Sequence, residues 1–122
     1  MSEAGRTLTY PPPSVHPSWL AVEVAGQRRR LALGDVRWVG PVPRVTRVPG
    51  AAAAVRGVIA WRGRVLALYD LGSRAARPSA VVLEAREGLC ALVVDRVLGF
   101  VGDAEADGAV LNLGAATEAS GE

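Results

Sequence analysis

The sequence predicts an all-β fold built from short strands. Apolar runs recur at close spacing, glycine-containing polar turns separate them, and the runs are rich in β-branched residues. The clearest case is the segment 57–71, in which two apolar runs flank the turn Arg62-Gly63-Arg64. Because Gly63 can adopt a positive φ without steric penalty, we expect a β-hairpin with two arginines at its tip.

The other predicted strands follow from alternation and from continuous apolar runs. Residues 19–24 alternate between apolar and polar types, as a half-buried strand does. The runs 80–85 and 89–94 are almost continuously apolar and are separated by a glycine-containing turn, which is typical of a hairpin buried on both faces. Further short strands are predicted at 28–33, 36–39, 97–101 and 109–113.

One segment favours a helix. The run Ala51–Val55 predicts one or two helical turns, while prolines at 41, 43 and 49 exclude helix and central strand from the preceding stretch. Residues 1–18 are expected to form a flexible, proline-rich N-terminal segment and 114–122 an acidic tail. The domain itself is therefore predicted to span 19–113.

Composition limits the classes of protein that fit. The chain has 122 residues, half of them apolar, which favours one folded domain with a modest core. No apolar run approaches the ~20 residues of a membrane span, and the first residues lack the apolar core of a secretion signal. We therefore expect a cytoplasmic protein that does not insert into membranes.

Charge is divided unevenly along the chain. Residues 1–77 carry twelve arginines and four acidic residues, whereas 78–122 carry two arginines and eight acidic residues, which gives the net charge of +2. Such a division can orient a protein contact. The alternative is that the two halves offset each other within the fold.

The inventory of catalytic residues is poor. His16 is the only histidine and lies in the proline-rich segment, away from Cys90, which is predicted to be an inert thiol in a buried strand. The single cysteine excludes an internal disulfide and a multi-cysteine metal site. The aspartates Asp35, Asp70 and Asp95 adjoin strand ends, where turn hydrogen bonds explain them. We therefore predict no catalytic residue, no cofactor and no metal.

Several sequence blocks, taken in order, resemble the CheW family of chemotaxis adaptors. VPGAAAAVRGVIAWRGRVLALYDL is followed by a loop and then by VVLEAREGLCALVVDRVLGFV. The family has a proline before a short helical turn, an RGV…RG…DL block, and an apolar hairpin that ends in VD.V. The matching residues are Pro49, Arg56-Gly57-Val58, Arg62-Gly63, Asp70-Leu71, Val94-Asp95 and Val97.

The resemblance implies a pair of small SH3-like β-barrels side by side and a non-catalytic role. A protein of this family links the cytoplasmic domain of a chemoreceptor to a CheA-type histidine kinase, in receptor clusters or a cytosolic signalling array. Arg62 matches the family's RG arginine at the receptor-facing groove and is the first candidate contact. The alternatives are that Arg62 solvates the turn or pairs with Asp70.

The full set of candidate residues divides into two groups. The candidate partner-binding residues are Arg62, Arg64, Arg56, Val36, Trp38, Val97 and Val101. Core packing is the alternative role for the valines. Structural roles in turns and motifs are assigned to Gly57, Gly63, Asp70 and Asp95.

Two departures from the family pattern suggest a divergent adaptor with altered partner binding. Trp38 stands where family members usually have a glutamate, and only residues 102–108 separate Val101 from the last predicted strand. The second barrel is therefore expected to be incomplete, with an open strand edge that a homodimer partner, another adaptor or the N-terminal segment covers.

A small basic β-barrel that binds nucleic acid is the alternative class. Its footprint would be Arg28, Arg29, Arg30, Arg44, Arg47, Arg56, Arg62 and Arg64. Few aromatic residues are available for base stacking, and several are expected in the core, which weighs against this class.

Overall fold

Short strands dominate the part of the chain that the structure describes. The computed structural model describes residues 17–104 and 106–111. The strands are β1 (Trp19–Val24), β2 (Gln27–Ala32), β3 (Val36–Pro41), β4 (Val55–Trp61), β5 (Arg64–Tyr69), β6 (Ser79–Ala85), β7 (Gly88–Val94), β8 (Arg96–Val101) and β9 (Ala109–Val110). The all-β prediction is confirmed. Most of the N-terminal segment, the acidic tail and the end of the strand predicted at 109–113 lie outside the described residues.

The strands form two sheets that are not successive halves of the chain. The end sheet has the order β8-β1-β2-β9, and the middle sheet has the order β3-β6-β7-β5-β4. The N-terminal hairpin and the C-terminal strands thus share one sheet. Within the described ranges, β9 has only two residues, which pair in parallel with Arg29 and Arg30 of β2.

Two apolar cores lie on opposite faces of the β6–β7 hairpin. Val81 and Leu92 are fully buried in the first core, where they meet residues of β1 and β2 such as Leu20. Val82 and Val93 are fully buried in the second core, with Ile59 and Leu68 of the β4–β5 hairpin. This two-sided burial explains why the hairpin has no polar alternation, as the sequence predicted. Burying each such side chain contributes roughly 1.5–3 kcal/mol.

The predicted helix at Ala51–Val55 is wrong. This segment is a single hydrogen-bonded turn, in which the amide of Val55 donates to the carbonyl of Ala52 over 2.9 Å, and Val55 already begins β4 opposite Tyr69. A helix of four alanines cannot offset the cost of nucleation without a buried apolar face, and these alanines are largely exposed. The one helical turn described is a 3₁₀ turn at Leu33–Asp35, before β3.

Candidate partner-binding surface

The tip of the β4–β5 hairpin is a two-residue turn with an unusual backbone. Trp61 pairs with Arg64, and between them Arg62 has φ 50° and Gly63 has φ 76°. Two positive φ values are what a type I′ turn requires, and asparagine or glycine is preferred at both positions. An arginine in this left-handed region costs about 1 kcal/mol, so the fold holds Arg62 in a strained conformation.

Arg62 is exposed at this tip. Its guanidinium carbon lies 4.7 Å from the centroid of the Trp61 ring, which fixes the direction of the side chain by a cation–π contact. The alternative that Arg62 pairs with Asp70 is wrong, because Asp70 pairs with Arg56 at 3.3 Å. Arg64 is exposed beside it, and among the described residues neither tip arginine has an acidic partner.

Gly57 brings another segment close to β4. It is buried, and a Cβ added there would lie against the carbonyl oxygen of Thr46 and 2.7 Å from Cγ1 of Val45. Thr46 and Val58 exchange two backbone hydrogen bonds, of 2.9 and 2.8 Å. Glycine is therefore required for this close approach.

Asp70 and Asp95 organise turns and loops in both sheets. Oδ1 of Asp70 accepts hydrogen bonds from the amides of Gly72 and Ser73, each 2.9 Å long, so it shapes the turn after β5. Asp95 lies at the corner between β7 and β8. Its two carboxylate oxygens accept from Ser73 Oγ at 2.5 Å and from the amide of Gly26 at 2.9 Å.

The environment of Asp95 stabilises its ionised form. Partial burial raises its pKa, but the hydrogen bonds from Ser73 and from three backbone amides lower it by more, so the pKa lies below its ordinary value of 3.8. The three amides are those of Gly26, Ala25 and Arg74. Asp95 thus joins the β1–β2 turn, the β5–β6 loop and the β7–β8 corner.

The apolar candidates do not gather at the hairpin tip. Val36 and Val97 are half-buried against the first core, whereas Trp38 packs against the second core, as does Trp61. Val101 lies in β8, opposite Trp19 in the end sheet. The candidate set is therefore divided among the arginine tip, the far end of the same hairpin where Arg56 pairs with Asp70, β3 of the middle sheet and β8 of the end sheet.

Sequence reasoning missed an exposed apolar edge on β8. Leu98 and Phe100 are 42% and 54% exposed, and β8 is an edge strand of the end sheet. Phe100 stands opposite the fully buried Leu20, so both lie on the same face of the end sheet. The continuous apolar run at 97–101 was the available signal, but it does not show which residue stays uncovered.

The buried thiol and the described acidic residues show no arrangement for chemistry. Burial, with a smaller contribution from Glu84, raises the pKa of the Cys90 thiol to about 11, which keeps it protonated and unreactive. Among the described residues, no cluster of three or more histidine, cysteine, aspartate or glutamate side chains could hold a metal ion. No described helix has the length and apolarity to cross a membrane.

Comparison with known proteins identifies the class. The CheW-like domain family matches residues 18–104. The chain therefore belongs to the CheW-like domain family, a family of non-catalytic scaffold domains in chemotaxis signalling, and the resemblance found in the sequence is confirmed. No curated protein sequence matches the chain.

A solved structure shows the same fold. The chain is similar to the scaffolding protein TtCheW from Thermoanaerobacter tengcongensis, with a TM-score of 0.62 and 22% sequence identity. The match covers 73% of this chain and 68% of that protein. The likeness supports the SH3-like β architecture.

Proposed function

We propose that this protein is a cytoplasmic adaptor that links the cytoplasmic domain of a chemoreceptor to a CheA-type histidine kinase, or to another adaptor, within a signalling array. The observation that carries the proposal is the strained, exposed Arg62 at the tip of the β4–β5 hairpin. Membership of the CheW-like domain family supports the adaptor role. Arg62 is the principal contact, and Arg64 lies beside it.

The geometry of the tip favours recognition of carboxylates on a partner. Guanidinium groups bind carboxylates through paired, directional hydrogen bonds. The Trp61 ring already restrains the Arg62 side chain, so less side-chain entropy is lost when a partner binds. Acidic side chains on a helical receptor surface are suitable ligands for such a group.

Arg62→Asn separates the binding role of Arg62 from its effect on stability. Relief of the strained backbone, about 1 kcal/mol, offsets the lost cation–π contact of about 0.5–1 kcal/mol, so the free energy of unfolding should change by less than about 0.5 kcal/mol. Binding to the receptor domain should weaken roughly tenfold or more, as is common for buried interface arginines. Urea unfolding and isothermal titration calorimetry with the cognate receptor and kinase domains measure both quantities.

Ala25→Asn is the matched control for this experiment. Ala25 has φ 52° and precedes Gly26 in the two-residue turn between β1 and β2, so it occupies the equivalent turn position. The substitution should stabilise the protein by about 0.5–1 kcal/mol and leave binding within about twofold. Equal affinities for the Arg62→Asn variant and the unaltered protein would show that the tip arginine is not a contact.

A second copy of the chain remains a predicted partner for the open edge of β8. Pairing there would cover Leu98 and Phe100. Size-exclusion chromatography with light scattering should then show a dimer that forms with increasing concentration, and Phe100→Glu should abolish it. A protein that stays monomeric at high concentration would contradict this arrangement.

A further inference from the structure

Among the described strands, none lies beside the outer edge of β4 in the middle sheet, so backbone groups on that edge face outward. Val58 exchanges its outward hydrogen bonds with Thr46, and Trp61 closes the hairpin with Arg64. In an antiparallel ladder, outward and inward pairs alternate along the strand. The amide and carbonyl of Ala60, two residues beyond Val58, therefore also point away from β5.

A groove lies where a partner for Ala60 would be expected. Thr46 pairs with Val58 as an isolated bridge, and within the described ranges the ladder does not continue back to Arg44. Pro43 and Arg44 instead line a groove beside Ala60. The groove has a volume of about 300 Å³ and is lined by Pro43, Arg44, Thr46, Val58, Ile59, Ala60 and Val65.

The groove combines an apolar wall with one positively charged lining residue, Arg44. Val65 is 73% exposed, more than any other large apolar residue described. It stands opposite Ala60, so the two share one face of the hairpin. Arg44 lines the groove, Arg64 adjoins Val65, and Arg47 adjoins Thr46.

Within the described part of the chain, the arginines near the groove and the tip are not neutralised by an acidic partner. Elsewhere, exposed ion pairs join Arg28 to Asp107 at 3.3 Å and Arg96 to Glu23 at 2.8 Å. Among the described residues, no ion pair involves the four arginines around the groove and the tip. The four are Arg44, Arg47, Arg62 and Arg64. Their field therefore favours an acidic occupant.

We propose that this groove receives an acidic, extended peptide segment of a partner protein, which adds as a strand to the β4 edge. The segment's backbone hydrogen-bonds to Ala60, its apolar side chains lie on Val65, and its carboxylates face Arg44 and Arg47. None of the residues that line the groove is aromatic, so it lacks the stacking surface that single-stranded nucleic acid uses. This inference goes beyond the receptor and kinase contacts and does not depend on them.

The test uses two labelled eight-residue peptides, one alternating valine with glutamate and the other alternating valine with lysine. Fluorescence anisotropy with the full chain should show binding of the glutamate peptide only, weakening as ionic strength rises. Ala60→Pro removes the outward-facing amide of residue 60 without removing a hydrogen bond to β5. Binding of the glutamate peptide should weaken roughly tenfold, because one edge hydrogen bond is lost and the proline ring occupies space beside the strand edge. Circular dichroism confirms that this variant is folded.

Arg44→Glu gives a second variant that leaves the backbone intact, and Arg77→Glu is its control. Arg77 is an exposed arginine in the β5–β6 loop, outside the groove, and its replacement changes the net charge by the same amount. Arg44→Glu should abolish binding, while Arg77→Glu should leave it within about twofold.

Several results would overturn the proposal. These are absence of binding, equal binding of both peptides, equal losses in the Arg44 and Arg77 variants, or unaltered affinity in Ala60→Pro. Displacement of the peptide by a single-stranded oligonucleotide at equal concentration would assign the groove to nucleic acid instead. Receptor and kinase binding, measured separately, can fail without affecting this result, so the two proposals are tested independently.

Discussion

Gly57→Ala is expected to lower the free energy of unfolding by about 2–4 kcal/mol, because overpacking and backbone strain act together at this position. The new methyl group would clash with the carbonyl oxygen of Thr46, which accepts a 2.8 Å hydrogen bond from the amide of Val58. That contact is with backbone and cannot be relieved by a rotamer change. We expect the segment around Thr46 to separate from β4, with loss of the bridge and widening of the groove beside Ala60.

Urea unfolding measures this effect, and Gly34→Ala is the matched control. Nothing lies within 4 Å of a Cβ built on Gly34, so its replacement should change the stability by less than about 0.5 kcal/mol. Hydrogen exchange at the amide of Val58 should accelerate in Gly57→Ala and stay slow in Gly34→Ala. If the two variants unfold alike, Gly57 is not required for the close approach of these segments.

Local sequence pattern was sufficient to predict most of the strands. The continuous apolar character of β6 and β7 correctly indicated burial on both faces, since each strand contributes alternate residues to two cores. The alternation in β1 likewise indicated which residues face the first core. The helix at Ala51–Val55 failed because high helix propensity in so short a segment is outweighed by pairing of Val55 with Tyr69.

The pairing of strands and the contacts of the candidate site could not be predicted in this way. Both depend on residues far apart in the chain. Asp95 binds Ser73, 22 residues away, and Gly26, 69 residues away. The sequence showed only that an aspartate follows β7. It also offered Arg62 as the partner of Asp70, whereas the fold places Arg56 there. The edge at Ala60 could not be predicted for the same reason, since it depends on the Thr46–Val58 bridge not being continued by pairing of Arg44 with Ala60.

The same long-range contacts make Asp95→Asn a substitution with a large expected effect. An amide has one acceptor oxygen in place of two, and its NH₂ group would face donors that have lost their acceptor. Loss of charge-assisted hydrogen bonds in a partly buried cluster should lower the stability by about 2–3 kcal/mol at pH 7. Because Asp95 joins three connecting segments, its replacement should also destabilise the β1–β2 turn and the β5–β6 loop.

The pH dependence gives an independent check of the role of Asp95. Its pKa in the folded protein lies below the ordinary value of 3.8, so the carboxylate contributes stability that is fully present above the unfolded pKa. That contribution is lost as the pH falls below about 4 and through the folded value. The stability difference between the unaltered protein and Asp95→Asn should therefore be constant from pH 7 to about 5 and then narrow in acid.

Urea unfolding of both proteins across this pH range measures the difference, and Asp35→Asn serves as the control. Asp35 is exposed and lies outside the Asp95 cluster, so its replacement should shift stability by less than about 0.5 kcal/mol. If the difference in free energy of unfolding between the unaltered protein and Asp95→Asn does not narrow in acid, the asparagine destabilises the protein through altered hydrogen-bond geometry and not through the lost charge. In that case the hydrogen bonds to the ionised carboxylate would not be what holds the β1–β2 turn, the β5–β6 loop and the β7–β8 corner together.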